Sequence, residues 1–95
     1  MDINRKLHWR VIDVYYVDNY RLLLKFADGK AKIVDLKSEI WGELFEPLKD
    51  IEEFKKVRVE GSSIAWENGA DFAPEFLYAS GVEIEPENLP RSGSD

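Results

Sequence analysis

Three carboxylates, Glu67, Asp71 and Glu75, fall in the densest stretch of the chain, Trp66 to Tyr78, where they could hold a metal or perform acid–base work. A catalytic carboxylate pair must flank a reacting bond in a pocket that drives its pKa values apart. The surrounding residues supply nothing else such a site needs: no histidine, no glycine-rich phosphate cradle, no basic residue for an oxyanion. A structural account uses every residue. Trp66 fills a core, Asn68-Gly69 turns the chain, and Asp71 caps a helix through its side-chain oxygen. Pro74 opens that helix in its first turn, where the missing donor is not needed. Phe76, Leu77 and Tyr78 then dock it, and Gly81 stops it.

The remaining candidates for chemistry are thinner. His8 is the single histidine, and nothing near it has ligand spacing. Ser62 and Ser63 follow a glycine but lack the flanking glycines of a nucleophile elbow. Lys37-Ser38 sits where a helix cap is expected. Asp28-Gly29 lacks the alternating acids and closing glutamate of a calcium loop. Cysteine is absent, which removes disulfides, thiolate nucleophiles and cysteine-based zinc sites. The expectation is a protein that is not an enzyme, with no catalytic, cofactor-binding or metal-binding residue.

The elements that must position these residues fit one domain, since 95 residues leave room for no more. No apolar run approaches the ~20 residues of a membrane span, and Met1 to Trp9 lacks the pattern of a signal peptide. A cytoplasmic, non-membrane protein is expected. The net charge of −6, with 19 acids against 13 scattered bases, disfavours direct nucleic-acid binding and permits a basic partner protein.

Residues 10 to 17 read as a strand, Asp18-Asn19 as a tight turn, and Tyr20 to Phe26 as a second strand. Asp28-Gly29 marks another hairpin, with Lys30 to Leu36 as the third strand. Ile40, Leu44, Phe45 and Leu48 share one face of a helix of two to three turns, capped by Asp35 or Ser38 and limited by Gly42 and Pro47. Ile51, Phe54 and Val57 continue as a short helical turn. Residues 57 to 60 and 63 to 67 form a hairpin about Gly61-Ser62, and residues 73 to 79 a short C-terminal helix. The fold class is α+β: an antiparallel three-stranded meander, a helix, a β-hairpin and a short C-terminal helix packed as one two-layer domain over residues 1–82. Residues 83–95 read as an acidic, flexible tail.

If the tight turns set the register, Val11, Tyr15, Val17, Tyr20, Leu22, Leu24, Phe26, Ala31 and Ile33 face the core. Ile12, Val14, Tyr16, Leu23 and Val34 then form a second apolar face, bordered by Arg10, Arg21, Lys25 and Lys32. Two readings stay open for it: cover by the protein's own later segments, or an interaction face. The partner would be another protein chain. The alternative function is a small-ligand-binding regulatory domain, with Trp9, Tyr16 and Trp41 lining a pocket.

Tyr20-Arg-Leu-Leu-Leu-Lys-Phe with Asp28-Gly29, then Val34-Asp-Leu, Phe45-Glu-Pro-Leu, Phe54, and the run Ile64 to Tyr78 resemble the small prokaryotic family catalogued as domain of unknown function 2442. The likeness covers roughly residues 9 to 80 and is most specific from Trp66 to Tyr78. It implies an α+β domain with no assigned activity. It also implies a place beside another small protein in a two-gene pair, resembling toxin–antitoxin systems, in which this chain is the neutralising or regulatory member. The partner is then a second copy of the chain or that small neighbouring-gene product.

Overall fold

The β-branched and aromatic run after Arg10 forms β1 (Val11–Asp18), the leucine run forms β2 (Arg21–Phe26), and β3 (Ala31–Asp35) completes an antiparallel meander. This is a computed structural model, and it describes residues 8–85. A second antiparallel sheet follows, made of β4 (Arg58–Glu60), β5 (Ser63–Ala65) and the two-residue β6 (Asp71–Phe72). The last strand, β7 (Val82–Ile84), returns to the first sheet beside β3, giving the order β1-β2-β3-β7. The fold is mixed α/β, with antiparallel sheets and few helices.

Two of the hairpins turn on the same five-residue device. Between β2 and β3, Phe26 N–H donates to Lys30 O and Gly29 N–H to Phe26 O, both at 2.9 Å. Asp28 Oδ1 accepts from Lys30 N–H at 2.9 Å. Between β5 and β6 the pattern repeats: Trp66 N–H donates to Ala70 O, Gly69 N–H to Trp66 O, and Ala70 N–H to Asn68 Oδ1. Gly29 and Gly69 lie at φ 91° and 94°, the left-handed region that closes a three-residue loop.

The three-residue loop corrects the expected register. Asp28-Gly29 as a two-residue turn would put Ala27 opposite Lys30, whereas Ala27-Asp28-Gly29 pairs Leu22 with Val34 and Leu23 with Ile33. At the other end of β2 the turn is Asn19-Tyr20 rather than Asp18-Asn19. Asp18 pairs with Arg21 in the ladder and through a bidentate ion pair at 2.7 and 2.8 Å. An irregularity between Tyr16 and Asp18 then aligns Tyr16 with Leu22 and Val14 with Leu24. A one-residue slip reverses every side chain of a strand.

The helix expected over Ile40 to Leu48 is not formed. Gly42 at φ 92° breaks it, and Pro47 cannot donate within it. Two 3-10 turns, Lys37–Glu39 and Glu46–Lys49, take its place. Asp35 Oδ1 accepts from Lys37 N–H at 3.0 Å beside the first of them. The expected short helical turn is present as α1 (Ile51–Phe54), with Asp50 accepting from Glu52 N–H at its start. The C-terminal helix, α2 (Pro74–Ser80), has Pro74 in its first turn, but its N-cap is Ala73. Asp71 is therefore not the cap: two residues earlier it is already committed to the ladder of β6, opposite Ala65.

Gly81 ends α2 without a left-handed conformation, at φ −72°. Its small size matters for another reason. A Cβ there would stand 2.7 Å from the Cβ of Lys32, so glycine lets the chain pass close over β3 into β7. The expected tail from Glu83 is thus corrected at its start, since Glu83 pairs with Lys32 and Ile84 with Ala31. Residues 86–95 lie outside the described residues.

One core cluster joins the two sheets. Leu22, Leu24, Phe26 and Val34 from the first sheet meet Ile64 and Trp66 from the second, with Leu48, Phe54 and Leu77 from the helical segments.

Candidate functional site

The register decides which apolar groups reach the surface. Of the expected second face, Val14, Tyr16 and Val34 lie on the core side, packed with Leu22 and Leu24. Tyr16 meets the Phe54 ring edge-on at 6.2 Å. Ile12 and Leu23 do lie on the outer side, where Leu23 is flanked by Tyr15 and Ile33. Leu23 is only 3% exposed, so among the described residues the large apolar groups open to solvent on that side are Ile12, Tyr15 and Val82.

The signature segment has definite roles. Trp66 is buried, and its indole N–H donates to Phe54 O at 2.9 Å. Its ring neighbours are Phe54 and Phe72, at 5.6 and 6.0 Å. Asn68 uses both ends of its amide: Oδ1 closes the turn, and Nδ2 donates to Leu44 O at 2.9 Å. Tyr78 donates its hydroxyl to Asp28 Oδ2 at 2.5 Å, tying α2 to the β2–β3 turn. That bond, with desolvation and the Asp28 and Glu83 charges, pushes the phenol up to about 12. The Lys32 ammonium lies 3.5 Å over the Tyr78 ring and donates to Tyr78 O at 2.6 Å. His8 meets the same ring edge-on at 4.9 Å.

Glu67, Asp71 and Glu75 do not converge. Glu67 lines a hollow with Pro47 and Leu48, Asp71 lines a different groove, and Glu75 lines neither. Among the described residues, no group of three or more histidine or acidic side chains is placed to hold a metal ion. No described helix is long and apolar enough to cross a membrane.

The groove at Asp71 exists because the expected helix is broken. With Gly42 reversing the chain, Ile40 and Leu48 still reach the core, but Trp41 and Leu44 are thrown outward, 70% and 48% exposed. Phe45 turns back to meet Phe72 at 5.1 Å, and Phe72 stacks on Phe76 at 5.8 Å. These three rings line a groove of about 480 Å³, with Trp41 and Leu44 beside them. Its acidic side chains are Glu39, Glu43 and Asp71, and no basic residue lines it among the described residues. The Asn68 amide holds the Leu44 carbonyl, so the groove's segment is fixed to the β5–β6 turn. Sequence reasoning named Trp41 as a pocket aromatic, but grouped it with Tyr16, which is half-buried against the core, and with Trp9; neither lines this groove. The signal that could have found it is the pair of breakers, Gly42 and Pro47, inside a helical pattern.

These features define a small mixed α/β domain of two antiparallel sheets, with an aromatic groove beside its second sheet. The chain belongs to the family described as "Protein of unknown function (DUF2442)", whose model matches residues 11–89. No curated protein and no solved structure matches it.

Proposed function

We propose that the protein is a non-enzymatic, cytoplasmic interaction domain that binds another protein chain as the neutralising or regulatory member of a two-gene pair. The observation that carries this reading is the exposure of Trp41 and Leu44 beside a fixed aromatic floor of Phe45, Phe72 and Phe76. A domain of this size has little apolar surface to spare, and exposed apolar patches with polar rims mark binding surfaces. Trp is enriched among the residues that dominate interface energetics. The net charge of −6 and the acidic groove rim oppose self-association through this surface, which favours a neighbouring-gene product over a second copy. Direct nucleic-acid binding is disfavoured on the same ground.

Coexpression with the product of the adjacent gene, followed by copurification, tests the reading. The expected result is a stable complex that Trp41→Ala abolishes while the circular dichroism of the isolated chain is unchanged. A chain that elutes alone, or a complex indifferent to Trp41→Ala, refutes it. The alternative, a small-ligand-binding regulatory domain, uses the same groove, whose volume falls within the ~300–1,000 Å³ of ligand pockets. It requires a ligand-induced rise in melting temperature without any partner chain.

A further inference from the structure

Among the described residues some acids are paired with a base, and others, in the groove and elsewhere, are not. Asp18, Glu46, Glu52, Glu53, Glu60 and Glu83 each pair with a lysine or arginine. Glu39, Glu43 and Asp71, the acids of the groove, have no ion-pair partner among the described residues, although lysines and arginines are spread along the chain. The groove therefore presents aromatic rings for an apolar side chain and three carboxylates awaiting positive charge. An apolar anchor on an acidic partner would place like charges together, which suppresses binding of such a partner.

We infer that the groove receives a basic amphipathic segment of a partner protein, one or two apolar side chains against Phe45, Phe72 and Trp41 with lysine or arginine toward Glu39, Glu43 and Asp71. This rests on the reading that the Trp41 groove is where the chain meets its partner, and it adds the chemistry of what enters. Ammonium and guanidinium groups can also lie over the exposed Trp41 ring, which attracts cations through its face. The partner's charge would steer its approach and make association depend steeply on salt, because a rim open to solvent is screened within ~10 Å at 0.1 M ionic strength.

The test uses the full chain labelled with ¹⁵N and a synthetic amidated peptide of alternating leucine and lysine pairs, against the same peptide with glutamate replacing lysine. The lysine peptide is expected to shift the Trp41 indole and the backbone signals of Phe45, Phe72 and Phe76. Its affinity should fall at least about tenfold between roughly 20 and 300 mM salt as screening shortens. The glutamate peptide should bind at least tenfold more weakly, and Glu43→Lys and Trp41→Ala should each weaken the lysine peptide while leaving the rest of the spectrum in place. Equal binding of the two peptides, shifts spread over the four-stranded sheet, or binding untouched by Trp41→Ala overturns the inference. So does self-association of the chain through this groove, measured by sedimentation without peptide. If the neighbouring-gene product copurifies through Trp41 but is insensitive to salt and to Glu43→Lys, the interaction reading stands and the basic segment falls.

Discussion

Replacing Gly29 or Gly69 isolates the cost of one backbone angle. A Cβ built at either position has nothing within 4 Å, so alanine there meets no steric obstacle. What remains is the left-handed conformation at φ 91° and 94°, which costs an L-residue roughly 1–2 kcal/mol. A domain of this size has on the order of 5–15 kcal/mol of stability, so each alanine variant still folds. At about 4–8 °C per kcal/mol, the melting temperature should drop by about 4–16 °C, with an unchanged denaturant m-value. Asparagine tolerates this conformation better than alanine, so Gly29→Asn and Gly69→Asn should melt above their alanine counterparts. Gly81 provides the opposite ordering. Its φ is ordinary but its Cβ space is occupied by Lys32, so Gly81→Asn should be worse than Gly81→Ala. Thermal circular dichroism on these six variants decides the matter. Alanine variants at positions 29 and 69 that melt with the wild type, or asparagine no better than alanine there, would refute the turn geometry.

Trp66→Ala removes a buried ring and leaves Phe54 O with only the longer bond from Val57 N–H at 3.3 Å, and it should cost about 3–5 kcal/mol by urea unfolding. Asp71→Ala should change stability by less than about 0.5 kcal/mol, because Asp71 is exposed and caps nothing, in contrast to the ~1 kcal/mol loss expected of a true N-cap. Tyr78 has a folded pKa raised from 10.0 to about 12. Its contribution to stability is therefore complete below pH 10 and is lost as the pH rises from 10 to 12. Tyr78→Phe should remove that part of the alkaline dependence, as read by denaturant midpoints across the window.

Much of this fold was legible in the chain, and the misreadings have identifiable causes. Asp28-Gly29 correctly announces a hairpin, but the same dipeptide serves loops of two and three residues. Nothing local to it states that Phe26, not Ala27, is the last paired residue. From that single residue follows the wrong side for Val34, while Val14 and Tyr16 change sides through the irregularity between Tyr16 and Asp18; together these remove most of the expected interaction face. The Gly61-Ser62 turn has its expected length, and β4 and β5 fall where their alternation places them. Strand β6 is two residues long and carries no periodic signal of its own; it exists because the Asn68-Gly69 turn delivers Asp71 and Phe72 alongside β5. Strand β7 is similarly too short to stand out in an acidic stretch, and its pairing depends on Gly81 clearing Lys32. The groove was not legible: Gly42 and Pro47 read as limits on the length of a helix that does not form. Two of the groove's three phenylalanine rings, Phe72 and Phe76, come from a distant part of the sequence.

The pairing of β7 with β3 also orders events in time. The β1–β2 and β2–β3 hairpins close over short loops, whereas β3 meets its other neighbour only after the second sheet and α2 have been made. The entropy of closing a loop grows with its length, so this seam should zip last and, in the native ensemble, open first. Until it does, β3 is a bare sheet edge on a nascent chain, the kind of edge that recruits other strands. Lys30 and Lys32 lie along that edge. Lysine on an exposed strand discourages such pairing, so the ammonium that rests on Tyr78 in the closed sheet would disfavour recruitment at this edge whenever β7 is detached.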